Sequence, residues 1–186
     1  MGAIARWFGI GRDKPQERAG FTLYNAAVAA AREPYFYATL GVPDTLDGRF
    51  DMVGLHASLL IRRLRRDAPP GPALAQAVFD AMFSDMDVSL RELGVSDLSV
   101  GKRVRAMWEA FHGRARAYEQ ALDVSDESAL AAALARNVWR GATEPPGAAT
   151  SLARLARAQD AHLAAQPLAA LAAGEATFLP AAEAVQ

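Results

Sequence analysis

Cysteine is absent from the 186 residues. That removes disulfides, thiolate metal sites and cysteine nucleophiles, and it fits a reducing compartment. No stretch approaches the roughly 18 consecutive apolar residues that a membrane-spanning helix needs, so a soluble protein is expected. The N-terminal stretch lacks the apolar core of a secretory signal, and Arg6 stands where a myristoylation signal would carry Ser or Thr. Alternating runs rich in Val, Ile and Thr are missing, which argues against strands. There is no glycine-rich phosphate loop, no nucleophile elbow and no helical pair of metal histidines. Nor does one sign of charge dominate. Twenty Lys and Arg stand against 21 Asp and Glu, so wholesale polyanion binding does not follow from the balance.

What is present is apolar sequence at helical spacing, punctuated by turn residues. Phe21 to Arg32 is alanine-rich and should be helical up to the residue before Pro34. A short aromatic segment, Tyr35 to Tyr37, follows. Asp47 is a candidate cap for a helix running to about Arg66, ahead of the Pro69–Pro72 break. The clearest stripe is Leu74, Val78, Phe79, Met82, Phe83, Met86, Leu90 and Leu93, closing at Gly94. Ser99 is the expected cap of the next helix, and Ser125 of the one after, which should end near Gly141. A last helix from about Ser151 should break at Pro167. The expected fold is all-α, an irregular or orthogonal bundle of about six or seven helices. Residues 1–20 form an N-terminal segment in this division, 21–174 the helical domain and 175–186 a tail.

Two charged, glycine-punctuated segments exceed what such a bundle needs: Gly41 to His56 and Phe79 to Arg105. Asp44, Asp47 and Asp51 offer carboxylates but no neighbouring base, which leaves acid–base catalysis a formal option. Asp85-Met86-Asp87 opens like a calcium loop, but Leu90 and Ser96 occupy the positions that need glycine and a bidentate glutamate. His56, His112 and His162 fall on different helices, so no metal site is expected. Arg62, Arg63, Arg65 and Arg66 close one helix, where the dipole favours cations. Lys102, Arg103 and Arg105 open another, where three cations oppose the dipole and call for compensation. Patches of both signs suit a protein partner better than nucleic acid.

In order and at plausible spacing, Tyr35-Phe36-Tyr37, LGVPDTLDGRFDMVGLH from Leu40, RRLR, FDAMFSDMD and SLRELGVSDLSVGKRV resemble the ubiquinol-cytochrome c chaperone family. The resemblance covers Tyr35 to Tyr118. It implies a non-catalytic assembly factor of ubiquinol-cytochrome c reductase, respiratory complex III, with newly made cytochrome b or another complex III subunit as client. It implies no cofactor and no catalytic residue. The ribosome or a membrane surface is a further partner under this resemblance, and the expected location is cytoplasmic, peripheral to the inner membrane. The partner face is expected to draw on Asp44, Asp47, Arg49, Asp51, Arg62, Arg63, Arg66, Asp85, Asp87, Arg91, Glu92, Lys102 and Arg103. For Asp47, Arg49 and Asp51 an equal alternative is that buried ion pairs lock the loop to the bundle. Two other classes stay open: a ribosome or RNA adaptor resting on the arginines, and an acid–base enzyme resting on the carboxylates.

Overall fold

The computed structural model describes residues 15–124 and 126–184. The described residues form eight helices and no strand: α1 (Pro15–Ala31), α2 (Pro34–Ala38), α3 (Leu46–Arg65), α4 (Gly71–Glu92), α5 (Asp97–Asp123), α6 (Glu127–Val138), α7 (Ala148–Ala165) and α8 (Leu168–Ala172). Six are long and two are single turns, which is the all-α bundle the sequence leads one to expect. α1 starts at Pro15, so residues 15–20 are helical rather than part of a leading segment.

The helix starts differ from the sequence expectations in an instructive way. Thr45, not Asp47, caps α3: its hydroxyl accepts the Gly48 N–H at 3.2 Å. Asp47 sits in the first turn, where its carboxylate complements the dipole. A Cβ on Gly48 would lie 2.0 Å from the Pro43 carbonyl oxygen, so only glycine lets the loop fold over this turn. α5 begins at Asp97 behind Ser96, and Ser99 is already inside the helix. Lys102, Arg103 and Arg105 therefore fall beyond its first turn, and the expected conflict with the dipole does not arise. α6 is capped by Asp126, whose carboxylate accepts the Ser128 N–H at 2.8 Å. Ser125 lies outside the described residues. α7 starts at Ala148, three residues before Ser151, and stops before Pro167.

α3 is the central post. Residues 50–60 are all buried, and the helix packs against α1, α4, α5, α6 and α7. A helix buried on every side belongs to the interior of a bundle. α1 crosses α4 closely because both are small at the contact: a Cβ on Gly20 would lie 2.4 Å from the Ala77 Cβ. The turn between α4 and α5 is a Schellman closure, with Val95 N–H donating to the Leu90 carbonyl at 3.0 Å and Gly94 N–H to Arg91 at 2.9 Å. Gly94 supplies the required positive φ of 80°.

Residues 175–184, expected as a tail, fold back over the bundle. The Gln159 amide exchanges hydrogen bonds with the Leu179 backbone at 2.7 and 2.9 Å. Gln166 does the same with Thr177 at 2.8 and 3.0 Å, and Glu33 accepts the Ala181 N–H at 2.9 Å.

Candidate functional site

The charged residues singled out in the sequence divide into an interior set and a surface set. Asp51 is buried on α3 and pairs with Arg114 of α5 and with Arg140, just past α6. The Arg140 contact is 2.8 Å, and the Arg114 guanidinium also lies 5.8 Å from the centre of the Phe50 ring. Burial pushes the Asp51 carboxyl up to about 6 against the pull of the two guanidiniums. Arg62, also buried, donates to Asp123 at 2.8 Å and Asp160 at 3.1 Å, tying α3 to α5 and α7. Arg63 donates to the Leu163 and Gln166 carbonyls at 2.9 and 2.8 Å and so closes the C-terminal end of α7. Asp85 accepts from the Tyr24 hydroxyl at 2.7 Å, joining α4 to α1, and burial with this bond raises the Tyr24 phenol far above its ordinary range. These four hold helices together. Asp51 and Arg62 are buried, and Arg63 and Asp85 are partly so.

The surface set is local. Arg49 pairs with Asp44 at 2.6 Å and holds that carboxyl below its ordinary value. Arg91 bridges Asp87, at 2.6 Å, and Asp97 across the α4–α5 turn. Arg66 shares Asp123 with Arg62 at 2.6 Å. Asp47, Glu92, Lys102 and Arg103 are exposed and form no ion pair among the described residues. The thirteen residues do not converge on one place. The carboxylates Asp44, Asp47 and Asp51 share no cavity either, since Asp51 is sealed in its ion pair and the other two are exposed. The arginine cluster at the end of α3 is likewise divided, with Arg62 and Arg63 turned inward.

What the structure does bring together lies between α3, α4 and α5: an open groove of about 790 Å³. Ile61, Phe79, Phe111, Ala115 and Leu122 supply its apolar walls, and Arg65 and Arg116 stand at its rim. Beside it Trp108, 45% exposed, stacks on His112 with ring centres 4.0 Å apart, and His112 in turn meets Phe79 edge-on at 5.3 Å. This groove was not legible in the sequence. Phe79 and Phe111 sit on stripes that read as core; in the structure Phe111 is buried and Phe79 half-buried, both lining the groove. Arg116 carries no mark that separates it from other surface arginines.

Fold and groove together define an all-α scaffold with a cation-rimmed, half-apolar groove. The chain belongs to the ubiquinol-cytochrome C chaperone family, whose profile matches residues 38–178. It is similar to the Cbp3 homolog from Brucella abortus, whose crystal structure superposes with a TM-score of 0.82 and 39% identity over 92% of this chain and 94% of that one. It also resembles the ubiquinol-cytochrome-c reductase complex assembly factor 1 of Xenopus laevis, 24% identical over 69% of this chain and 64% of the frog protein. The human assembly factor 1 is 24% identical over 78% of this chain and 48% of its own length. The chain thus spans from about half to just under two thirds of the curated relatives it matches.

Proposed function

We propose that this chain is a non-catalytic assembly factor of ubiquinol-cytochrome c reductase, which holds a subunit of that complex before incorporation, newly made cytochrome b being the expected client. The observation that carries this reading is the extent of the family match: residues 38–178 take in all three helices that wall the groove. The names of the frog and human relatives support the same complex. A client that is itself a membrane protein calls for a binding partner working at the membrane surface, and no described helix is long and apolar enough to cross a membrane. We infer, from the membrane client expected of the family, that the protein works at the cytoplasmic side, peripheral to the inner membrane.

The test is removal of the gene, followed by measurement of cytochrome b haem spectra and of ubiquinol oxidation by membranes. The expected outcome is loss of both, restored by the intact chain. Normal complex III in the deletion strain would overturn the reading. Salt-steep binding to ribosomal RNA with no association with complex III subunits would replace it with the adaptor class.

A further inference from the structure

The chemistry of the groove specifies its occupant more closely than the family does. Its rim guanidiniums, Arg65 and Arg116, are exposed and have no ion-pair partner among the described residues. The acid lining the groove, Glu119, faces Arg62 at 3.7 Å. The rim is therefore net positive above apolar walls. An occupant that matches it carries carboxylates beside apolar side chains.

The walls are helix faces, and no strand edge is available among the described residues. An extended peptide laid against side chains would find no backbone pairing there and would leave its N–H and C=O groups to water. A helix satisfies them internally and offers side chains at i, i+3, i+4 and i+7, the spacing of helix-in-groove recognition. The first fourteen residues of this chain, with apolar Trp7 and Phe8 but with Arg6, Arg12 and Lys14 against Asp13, carry the same sign as the rim and are poor occupants.

We infer that the α3–α4–α5 groove takes an amphipathic, acidic helical segment of the client, its carboxylates against Arg65 and Arg116 and its apolar side chains against Phe79, Phe111 and Leu122. This rests on the assembly-factor reading for the identity of the client, but not for the chemistry of the site.

The test uses the full chain and a synthetic amphipathic peptide with leucines on one helical face and glutamates flanking them, together with a counterpart in which lysines replace the glutamates. Fluorescence anisotropy should show binding of the glutamate peptide, weakening as salt rises, and no binding of the lysine peptide. The double variant Arg65→Glu/Arg116→Glu should weaken it about tenfold or more. Ala115→Trp, which fills the groove floor and leaves the interior ion pairs alone, should do the same. Arg105→Glu, outside the groove, should bind as the wild type does. Equal binding by all four proteins, or preference for the lysine peptide, would overturn the inference. So would binding of phosphatidylglycerol vesicles but not of the glutamate peptide, lost in the double variant, since that would make the groove a lipid-headgroup surface. In the deletion strain the double variant should fail to restore complex III. Full restoration would sink the groove while leaving the assembly function standing, whereas a deletion strain with normal complex III would sink the function and leave the peptide result to decide the groove.

Discussion

At the level of single residues, the interior of α3 carries a histidine whose protonation opposes folding. His56 donates from Nδ1 to the Met52 carbonyl at 2.8 Å, which leaves Nε2 as a lone pair, buried and without a partner. The ring lies between Phe36 and Phe178, at 5.4 and 5.6 Å. Burial holds its pKa down to about 4 from an ordinary 6.5. The unfolded chain thus takes up a proton that the folded one refuses, and stability falls as pH drops from 6.5 towards 4. Asp51 acts in the opposite sense. Its folded value of about 6 exceeds the unfolded 3.8, so the folded state binds that proton first and gains stability as pH falls through 6. The two contributions offset each other in the wild type. Replacing His56 with Leu removes one of them, so the stability of the wild type relative to His56→Leu, from urea unfolding at a series of pH values, should fall by about 3 kcal/mol between neutral pH and about pH 4. A difference that does not change with pH would mean that His56 is not held neutral. A buried ion pair was one of two readings the sequence offered for Asp51, but its partners Arg114 and Arg140 could not be named, because they lie 63 and 89 residues away.

At the level of helices, the same residue type has opposite consequences in α1 and α5. Gly20 meets Ala77 where a Cβ would approach to 2.4 Å, against backbone as well as side chain, while Gly101 has nothing within 4 Å. Gly20→Ala should force α1 away from α4 and cost about 1–3 kcal/mol, outweighing its gain in helix propensity. Gly101→Ala should stabilise by about 0.5–1 kcal/mol, since only the propensity term operates. Urea denaturation of the pair decides this, and two shifts of the same sign would contradict the packing described. Helices α4 and α5 were legible because their apolar stripes continue over many turns. Their junction was misjudged by three residues because two serines, Ser96 and Ser99, compete as caps. The chain reversal at Gly94 settles the choice: with α4 closed by the Val95–Leu90 bond, the backbone N–H groups of Ser99 and Val100 already reach the Ser96 carbonyl, at 2.8 and 3.0 Å.

For the whole molecule, helix content followed from local pattern, but the arrangement around α3 did not. Periodicity shows one apolar face, and α3 disguises its burial on every side with Asp51 and Arg62, whose charged partners lie in distant parts of the chain, and with His56, which bonds within its own helix. The C-terminal segment was hidden for a related reason. Nothing within residues 175–184 marks them as packed, because their anchors lie outside the segment: Gln159 and Gln166 on and just past α7, and Glu33 148 residues from Ala181. Yet Ala181 is fully buried, Phe178 covers His56, and two glutamine side chains satisfy both the donor and the acceptor of the backbone they face. A chain ending at Gly174 would uncover the His56–Phe36 pair and strand the Gln159 amide, which is 1% exposed, in a site shaped for a backbone that has gone. Burial of Phe178 and Ala181 and the loss of these hydrogen bonds together amount to about 3 kcal/mol. For a domain of this size that lowers Tm by roughly 6–12 °C. Calorimetry of the shortened chain measures it. Gln159→Ala/Gln166→Ala in the full chain should fall between the two, since it removes the clasps and keeps the apolar cover. A shortened chain that melts with the wild type would show that the segment rests on the bundle without stabilising it.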